Sequence, residues 1–212
     1  MSDERTFAMI DLAGFTALTE AHGDEHAADA AELFASLARD SLSNGDELVK
    51  CIGDAVLLAS STPDAGLALV SRIHQECRGV ESFLTTRTGL HHGSAIQRGD
   101  DYFGAAVNLT ARLAAHAAGG QVLATGLVAE AARKSGVGVI ELGTADFKNV
   151  EEPVEIYELA IAPGLVETID PVCRMRINHS AAAGYLRRDS AVYWFCSLDC
   201  ARKFLANAGA GI

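Results

Sequence analysis

Apolar residues recur along the chain with two different periods. Residues 6–10 form a nearly continuous apolar run, the pattern of a strand covered on both faces; Gly14 breaks it, so Asp11 is expected at a strand end. Over residues 27–42, Leu33, Phe34, Leu37, Ala38 and Leu42 return at helical spacing and predict an amphipathic helix. The stretch "VKCIGDAVLLA", beginning at Val49, reads as two short strands around Gly53-Asp54, the composition of a two-residue hairpin turn. Lys50 then lies inside the first strand and Asp54 at the tip. Helices are predicted over 65–77 and 105–118, and strands over 85–93, 122–125, 137–141 and 154–159. Strands alternating with helices, but including a tight hairpin, predict an α+β fold: a mixed sheet with packed helices.

Composition divides this picture in two. The 212 residues are 49% hydrophobic, enough for one medium domain and a small companion. The net charge of -11 argues against wrapping nucleic acid or docking on an anionic membrane, both of which require a basic surface. Residues 1–169 carry 25 acidic and 11 basic side chains, whereas residues 170–212 carry three acidic and six basic. Cys173, Cys196 and Cys200 crowd into the second segment, and Pro163-Gly164 marks the join. The expected organisation is a first domain over 1–162, a linker over 163–169 and a small domain over 170–212. The charged start "MSDERTF" lacks the pattern of a secretory signal, and His116, Gln121 and Glu130 break the longest apolar stretches. A cytoplasmic location, with free thiols or metal ligands rather than disulfides, is expected. Cys51 and Cys77 read as buried small side chains. His22 and His26 have an i,i+4 spacing that could bind a metal and His91/His92 are adjacent, but no further Cys or His pattern completes a site near either pair, so both read as surface histidines.

Two constellations carry possible chemistry. Asn108 and Arg112 are four apart near the helix start set by Gly104, so they share one face; with the helix N-terminus they could grip a phosphoryl group and a ribose, or simply be solvated. Asp11 and Asp54, at a strand end and a hairpin tip, could hold Mg²⁺ against substrate phosphates, or serve as turn formers.

Four stretches, "FAMIDLAGFTALTE", "VKCIGDAVLLA", "TGLHHGSAIQRGDDYFGAAVNLTARL" and "FKNVEEPVEIYEL", occur in the order and rough spacing of the class III adenylate and guanylate cyclase catalytic domain. The resemblance covers residues 6–159 and implies a ferredoxin-like fold. It also implies conversion of ATP to 3′,5′-cyclic AMP and pyrophosphate. By motif position, Asp11, Asp54 and the Leu12 carbonyl resemble the ligands of two Mg²⁺ or Mn²⁺ ions per active site. The N–H groups of Ala13, Gly14 and Phe15 resemble the phosphate-cradling loop. Asn108 resembles the ribose-orienting residue, Arg112 the transition-state arginine and Lys148 the lysine of the terminal phosphates. Lys50 and Asp101 occupy the base-reading positions; an ammonium donor and a carboxylate acceptor complement adenine N1 and its exocyclic amine, which points to ATP over GTP. The family builds its site across a head-to-tail dimer, and a chain with both halves implies a homodimer with two equivalent sites. The chain departs from the family pattern at Ala105, where an acidic residue is frequent, and at Asn149, in place of a glycine.

The last forty residues, with "DPVC", "YWFCS" and the frame C-x22-C-x3-C over Cys173, Cys196 and Cys200, resemble the YHS domain, a small module related to the TRASH family. Arg174 stands where glycine is usual. The resemblance implies a site for Zn²⁺ or Cu⁺ on the three thiolates, with His179, Met175 or water as fourth ligand, or else cysteines that are simply buried. The leading expectation is thus an adenylate cyclase modulated by metal at its small domain. The alternative is a non-catalytic nucleotide-binding module that relays metal state to a partner.

Overall fold

The computed structural model describes residues 2–161, 168–188 and 191–209, so most of the expected linker lies outside the described residues. The chain runs β1 (Ser2–Ala13), α1 (Phe15–His22), α2 (Asp24–Asp40), β2 (Asp46–Ile52), β3 (Ala55–Ser60), α3 (Pro63–Gly79), β4 (Thr85–Arg98), β5 (Asp101–Phe103) and α4 (Ala105–His116). It continues through β6 (Val122–Ala124), α5 (Gly126–Lys134), β7 (Val139–Ala145) and β8 (Val154–Leu159). The C-terminal segment adds β9 (Thr168–Ile169), β10 (Arg176–Ile177), β11 (Gly184–Arg188), β12 (Ala191–Phe195) and α6 (Leu198–Gly209).

The main sheet has the order β2-β3-β1-β4-β6-β8-β7, with β5 paired to β4. Only β4 and β6 run parallel; the other pairs are antiparallel, so the sheet is mixed as expected. Strand periodicity sends β1 side chains alternately to two cores. Ala8, Ile10 and Leu12 join Leu18, Phe34, Leu69 and Ile73 on one face, while Phe7 and Met9 meet Leu57, Tyr102 and Ala106 on the other. On the second face α4 lies close against β4. Gly89 permits this approach, because a Cβ there would collide with backbone atoms of Thr110 and Ala114.

Several elements differ from the sequence expectation. β1 extends beyond residues 6–10 because β3 and β4 flank it on both sides, and its pairing to β4 continues through Ala13 and Thr85. The short helices α1 and α5 and the strand β5 do not stand out in the sequence: α1 has weak apolar periodicity, the inward face of α5 is built mostly of alanine (Ala129, Ala131, Ala132), and β5 has only three residues. Cys51 is exposed rather than buried, since β2 is the edge strand and its end projects beyond the core. His91 and His92 are not surface groups: they sit half-buried in β4, bonded to Thr125 (2.8 Å) and Thr6 (2.9 Å).

The C-terminal segment shares the buried cluster of the first. Cys173, Met175, Phe195 and Cys200 pack with Leu18, Phe83 and Leu84. A β-bridge joins Leu84 to Met175. Arg176 fastens the contact, donating from its backbone N–H to Phe83 O (2.9 Å) and from its guanidinium to Val80 O (3.1 Å) and Cys77 O.

Candidate active site and cysteine cluster

The carboxylates of Asp11 and Asp54 are brought together at the end of the antiparallel β1–β3 ladder, whose last pair is Asp11 and Ala55. The hairpin tip docks on β1, where Leu12 N–H donates to Asp54 O (3.3 Å). Burial, the neighbouring Asp11 charge and a hydrogen bond to Asp11 push the Asp54 carboxyl up to about 6. Arg87 on β4, opposite Asp11 in register, forms an ion pair with it and supplies the positive charge beside the two acids. Nothing in the sequence spacing singled out Arg87, since the pairing joins strands 76 residues apart. A cleft of about 410 Å³ opens over this pair, lined by Asp11, Leu12, Asp54, Arg87, the 13–16 loop and residues 117–119.

The donor set suits a hard cation. Two adjacent carboxylates that repel each other, with a main-chain carbonyl at Leu12 between them in sequence, are the oxygen ligands that Mg²⁺ or Mn²⁺ takes.

Lys50 and Asp101 meet at a different place. A β-bulge shifts the register between Leu48 and Lys50, so that Lys50 stands opposite Leu57 instead of Val56. That single-residue shift turns the lysine away from the core that holds Val56. It emerges on the face over which the β4–β5 hairpin folds, where Tyr102 packs edge-on against Phe7 at 5.3 Å. There Lys50 Nζ donates to both carboxylate oxygens of Asp101 (2.8 and 2.7 Å), holding that carboxyl below its usual range. Phe103 lies under the ammonium, 5.9 Å from it, and is 53% exposed.

Asn108 and Arg112 project from α4, exposed and half-buried respectively. Lys148 sits in a turn from Phe147 to Val150, closed by Val150 N–H donating to Phe147 O (3.0 Å). Phe147 packs edge-on against His116 at 5.6 Å and so anchors this turn to the end of α4. Asn149 adopts φ 60°, the left-handed conformation that glycine would supply and that asparagine accepts more readily than most residues. Of these residues and the Lys50–Asp101 pair, none lines the cleft over Asp11 and Asp54.

The cysteines converge as well. Cys173 Sγ lies 3.4 Å from Cys196 Sγ, which lies 3.7 Å from Cys200 Sγ. The fourth group is His22, at the end of α1, with Nε2 3.6 Å from both Cys196 and Cys200. His22 is therefore half-buried against sulfur rather than a surface histidine. His179, expected as a possible ligand, instead bonds Thr168 (2.7 Å) and stacks on Trp194 at 4.1 Å. Asp170, fully buried, organises the loop: its carboxylate accepts from the N–H groups of Val172 (2.7 Å), Cys173 (3.3 Å) and Cys196 (2.8 Å). Its signal in the sequence is the "DPVC" motif itself. Hydrogen bonding to Cys173 and burial raise the Cys196 thiol, and burial pushes Cys200 up to about 11. Ser197 caps α6, its hydroxyl accepting from Cys200 N–H (3.1 Å), so Cys200 is on the helix while Cys196 precedes it.

Comparison with known proteins bears on the first segment. Residues 2–160 match the model of the Adenylate and Guanylate cyclase catalytic domain. An uncharacterized protein of Mycobacterium tuberculosis is 43% identical over 119 residues, covering 54% of this chain and 30% of that protein. A pH-sensitive adenylate cyclase of the same species is 36% identical over 126 residues, covering 59% and 32% respectively. The chain thus spans about a third of the length of these curated relatives. Among solved structures, an adenylate cyclase from Trypanosoma brucei in its monomeric state superposes with a TM-score of 0.67 at 25% identity, covering 76% of this chain and 90% of that one. No helix among the described residues is long and apolar enough to cross a membrane.

Proposed function

This chain belongs to the adenylate and guanylate cyclase catalytic domain family, and from that premise we propose that it converts ATP to 3′,5′-cyclic AMP and pyrophosphate at sites shared between two copies of itself. The observation that carries the choice of ATP is the Lys50–Asp101 pair. Held side by side, an ammonium and a carboxylate form a donor next to an acceptor, the complement of adenine N1 and its amine; guanine reverses both groups.

In this reading Asp11, Asp54 and the Leu12 carbonyl hold two Mg²⁺ or Mn²⁺ ions. When bound, these ions neutralise the triphosphate and favour ionisation of the ribose 3′-hydroxyl. The residues of the chain do the rest. Arg87 pairs with Asp11 and holds its carboxylate in place at the edge of the cleft. The N–H groups of Ala13, Gly14 and Phe15, at the start of α1, orient the phosphate oxygens. Asn108 positions the ribose so that its 3′-oxygen faces the α-phosphorus. Arg112 meets the charge that grows on the α-phosphate during attack, and Lys148 holds the departing pyrophosphate.

Sharing the site is supported by its division. The cleft over Asp11 and Asp54 lacks the base-reading and transition-state residues, which a second copy placed head-to-tail would bring. Residues 1–162 would form the cyclase domain, with 163–169 leading to the C-terminal segment. Incubating the protein with ATP or GTP and Mg²⁺ or Mn²⁺, and measuring both cyclic nucleotides, tests the reading. Cyclic AMP formation supports it. Failure to form either cyclic nucleotide overturns catalysis, and equal turnover of GTP overturns the base assignment.

A further inference from the structure

An ion bound tetrahedrally by sulfur at about 2.3 Å and by imidazole nitrogen at about 2.05 Å separates two sulfurs by about 3.8 Å and sulfur from nitrogen by about 3.6 Å. Cys196 and Cys200 Sγ are 3.7 Å apart, and His22 Nε2 is 3.6 Å from each. Cys173 Sγ is 3.4 Å from Cys196 Sγ, and all four ligand atoms lie within 4.8 Å of one another. Among the described residues this is the group of three or more His, Cys, Asp or Glu side chains whose ligand atoms converge closely enough to hold one ion. We propose that His22 closes, with Cys173, Cys196 and Cys200, a tetrahedral site for a thiophilic divalent cation of the Zn²⁺ class, and that this ion fastens the C-terminal segment to helix α1.

The ligand set favours Zn²⁺ over softer or harder ions. Three thiolates exclude Mg²⁺ and Ca²⁺, and a fourth ligand at tetrahedral spacing matches the closed coordination of structural zinc. The surroundings are already arranged. Asp170 fixes the backbone of Cys173 and Cys196, and Ser197 fixes that of Cys200.

What distinguishes the site is its fourth ligand, 151 residues from Cys173 in sequence and on an element that begins at the proposed phosphate loop. The C-terminal segment holds α1 at both ends. At its start, Gly14 (φ 94°) lies so close to Arg174 that a Cβ there would stand 2.5 Å from the arginine's Cβ. At its end, Lys203 Nζ donates to the carbonyls of Glu20 (3.0 Å) and Ala21 (2.7 Å). A helix of eight residues is too short to be stable alone, so its order depends on these contacts. An ion on His22 adds a coordinate bond where the helix would otherwise fray. The loop of Ala13 to Phe15, at the other end, is ordered with it.

The test uses the whole chain, reduced and stripped of metal, titrated with Co²⁺ and then Zn²⁺. The expected result is one Co²⁺ per chain with the intense visible bands of tetrahedral cobalt and thiolate charge-transfer absorption, displaced by one equivalent of Zn²⁺. His22→Gln should weaken Zn²⁺ binding at least about 10-fold and alter the cobalt spectrum, whereas His179→Ala should change neither. Zn²⁺ should slow amide hydrogen exchange over residues 15–22 in the wild type and not in His22→Gln. Circular dichroism on each variant verifies folding. Cys200→Ser should lose stoichiometric binding; if it fails to fold, His22→Gln and the exchange measurement still decide. The proposal is overturned if the reduced protein binds no stoichiometric ion, or if His22→Gln keeps the wild-type affinity and spectrum. Neither readout involves cyclase activity, so failure here and failure of the proposed reaction are distinguishable.

Discussion

Two crippled variants, each damaged in a different half of the proposed site, should restore activity when mixed. Asp54→Ala removes a carboxylate from the cleft, and Arg112→Ala removes the guanidinium on α4. Neither change threatens the fold: the first relieves repulsion between Asp11 and Asp54, and the second puts the best helix former on a half-exposed helical position. Loss of a transition-state charge costs on the order of 10² to 10³ in rate, so each parent should retain about 1% or less of wild-type activity. Random exchange in an equimolar mixture makes about half of the dimers mixed. Each mixed dimer has one site built from intact Asp54 of one copy and intact Arg112 of the other, and one site damaged twice. The mixture should therefore recover about one quarter of wild-type activity, roughly 25-fold above the better parent. The assay is cyclic AMP formation after partial unfolding and refolding of the mixture, with mixed dimers verified by mass spectrometry of differently tagged copies. Verified exchange with activity left at parental level would refute the shared site, because a site complete within one chain gains nothing from a partner.

Three further outcomes follow from individual contacts. Asp54→Asn should abolish cyclase activity and yet raise the melting temperature of the metal-free protein by a few degrees, since it removes one of two repelling charges; an unchanged or lower melting temperature would contradict the raised carboxyl. His74, buried between α3 and β4 with Nε2 2.9 Å from Thr88 Oγ1, titrates at about 4 because burial disfavours its cation. Its stabilising contribution is complete above pH 6.5 and lost as pH falls through 4, about 3 kcal/mol in all. His74→Gln should accordingly flatten the stability profile over that interval, read as urea midpoints from pH 7 to 4. Replacing Asn149 by Gly should leave cyclase activity within about 2-fold of wild type, since the turn already holds the left-handed φ that glycine supplies; a large gain in activity would show that asparagine distorts the Lys148 turn.

How much of this was legible in the sequence varied with the range of the interaction responsible. Gly53-Asp54 between two apolar runs announced a hairpin, because turn chemistry is local. That Lys50 would face the β4–β5 hairpin was not legible, for it depends on a one-residue bulge in edge strand β2 that moves its partner from Val56 to Leu57. Asn149 and Arg174 both depart from glycine, and both occupy positive φ, 60° and 67°. The positions required a conformation, and sequence reports only the residue. Arg87 and His22 were missed for the opposite reason: each acts across a long separation, on Asp11 and on the cysteines, where no spacing rule reaches.

The C-terminal segment shows why composition and packing answer different questions. Its charge and cysteines set it apart, yet about forty residues are too few to bury an adequate core unaided. The deficit is met by sharing: Met175, Phe195, Cys173 and Cys200 fill the cluster that Leu18, Phe83 and Leu84 begin, and Arg176 satisfies the carbonyls that end α3 and lead into β4. A segment held this way cannot change state in isolation. The same segment that carries the cysteines places Arg174 against Gly14, in the loop of Ala13 to Phe15, and Lys203 on the carbonyls at the other end of α1. The physical route between the two chemistries is therefore short: it runs along α1, by the contact of Arg174 with Gly14, and through the Leu84–Met175 bridge just before β4.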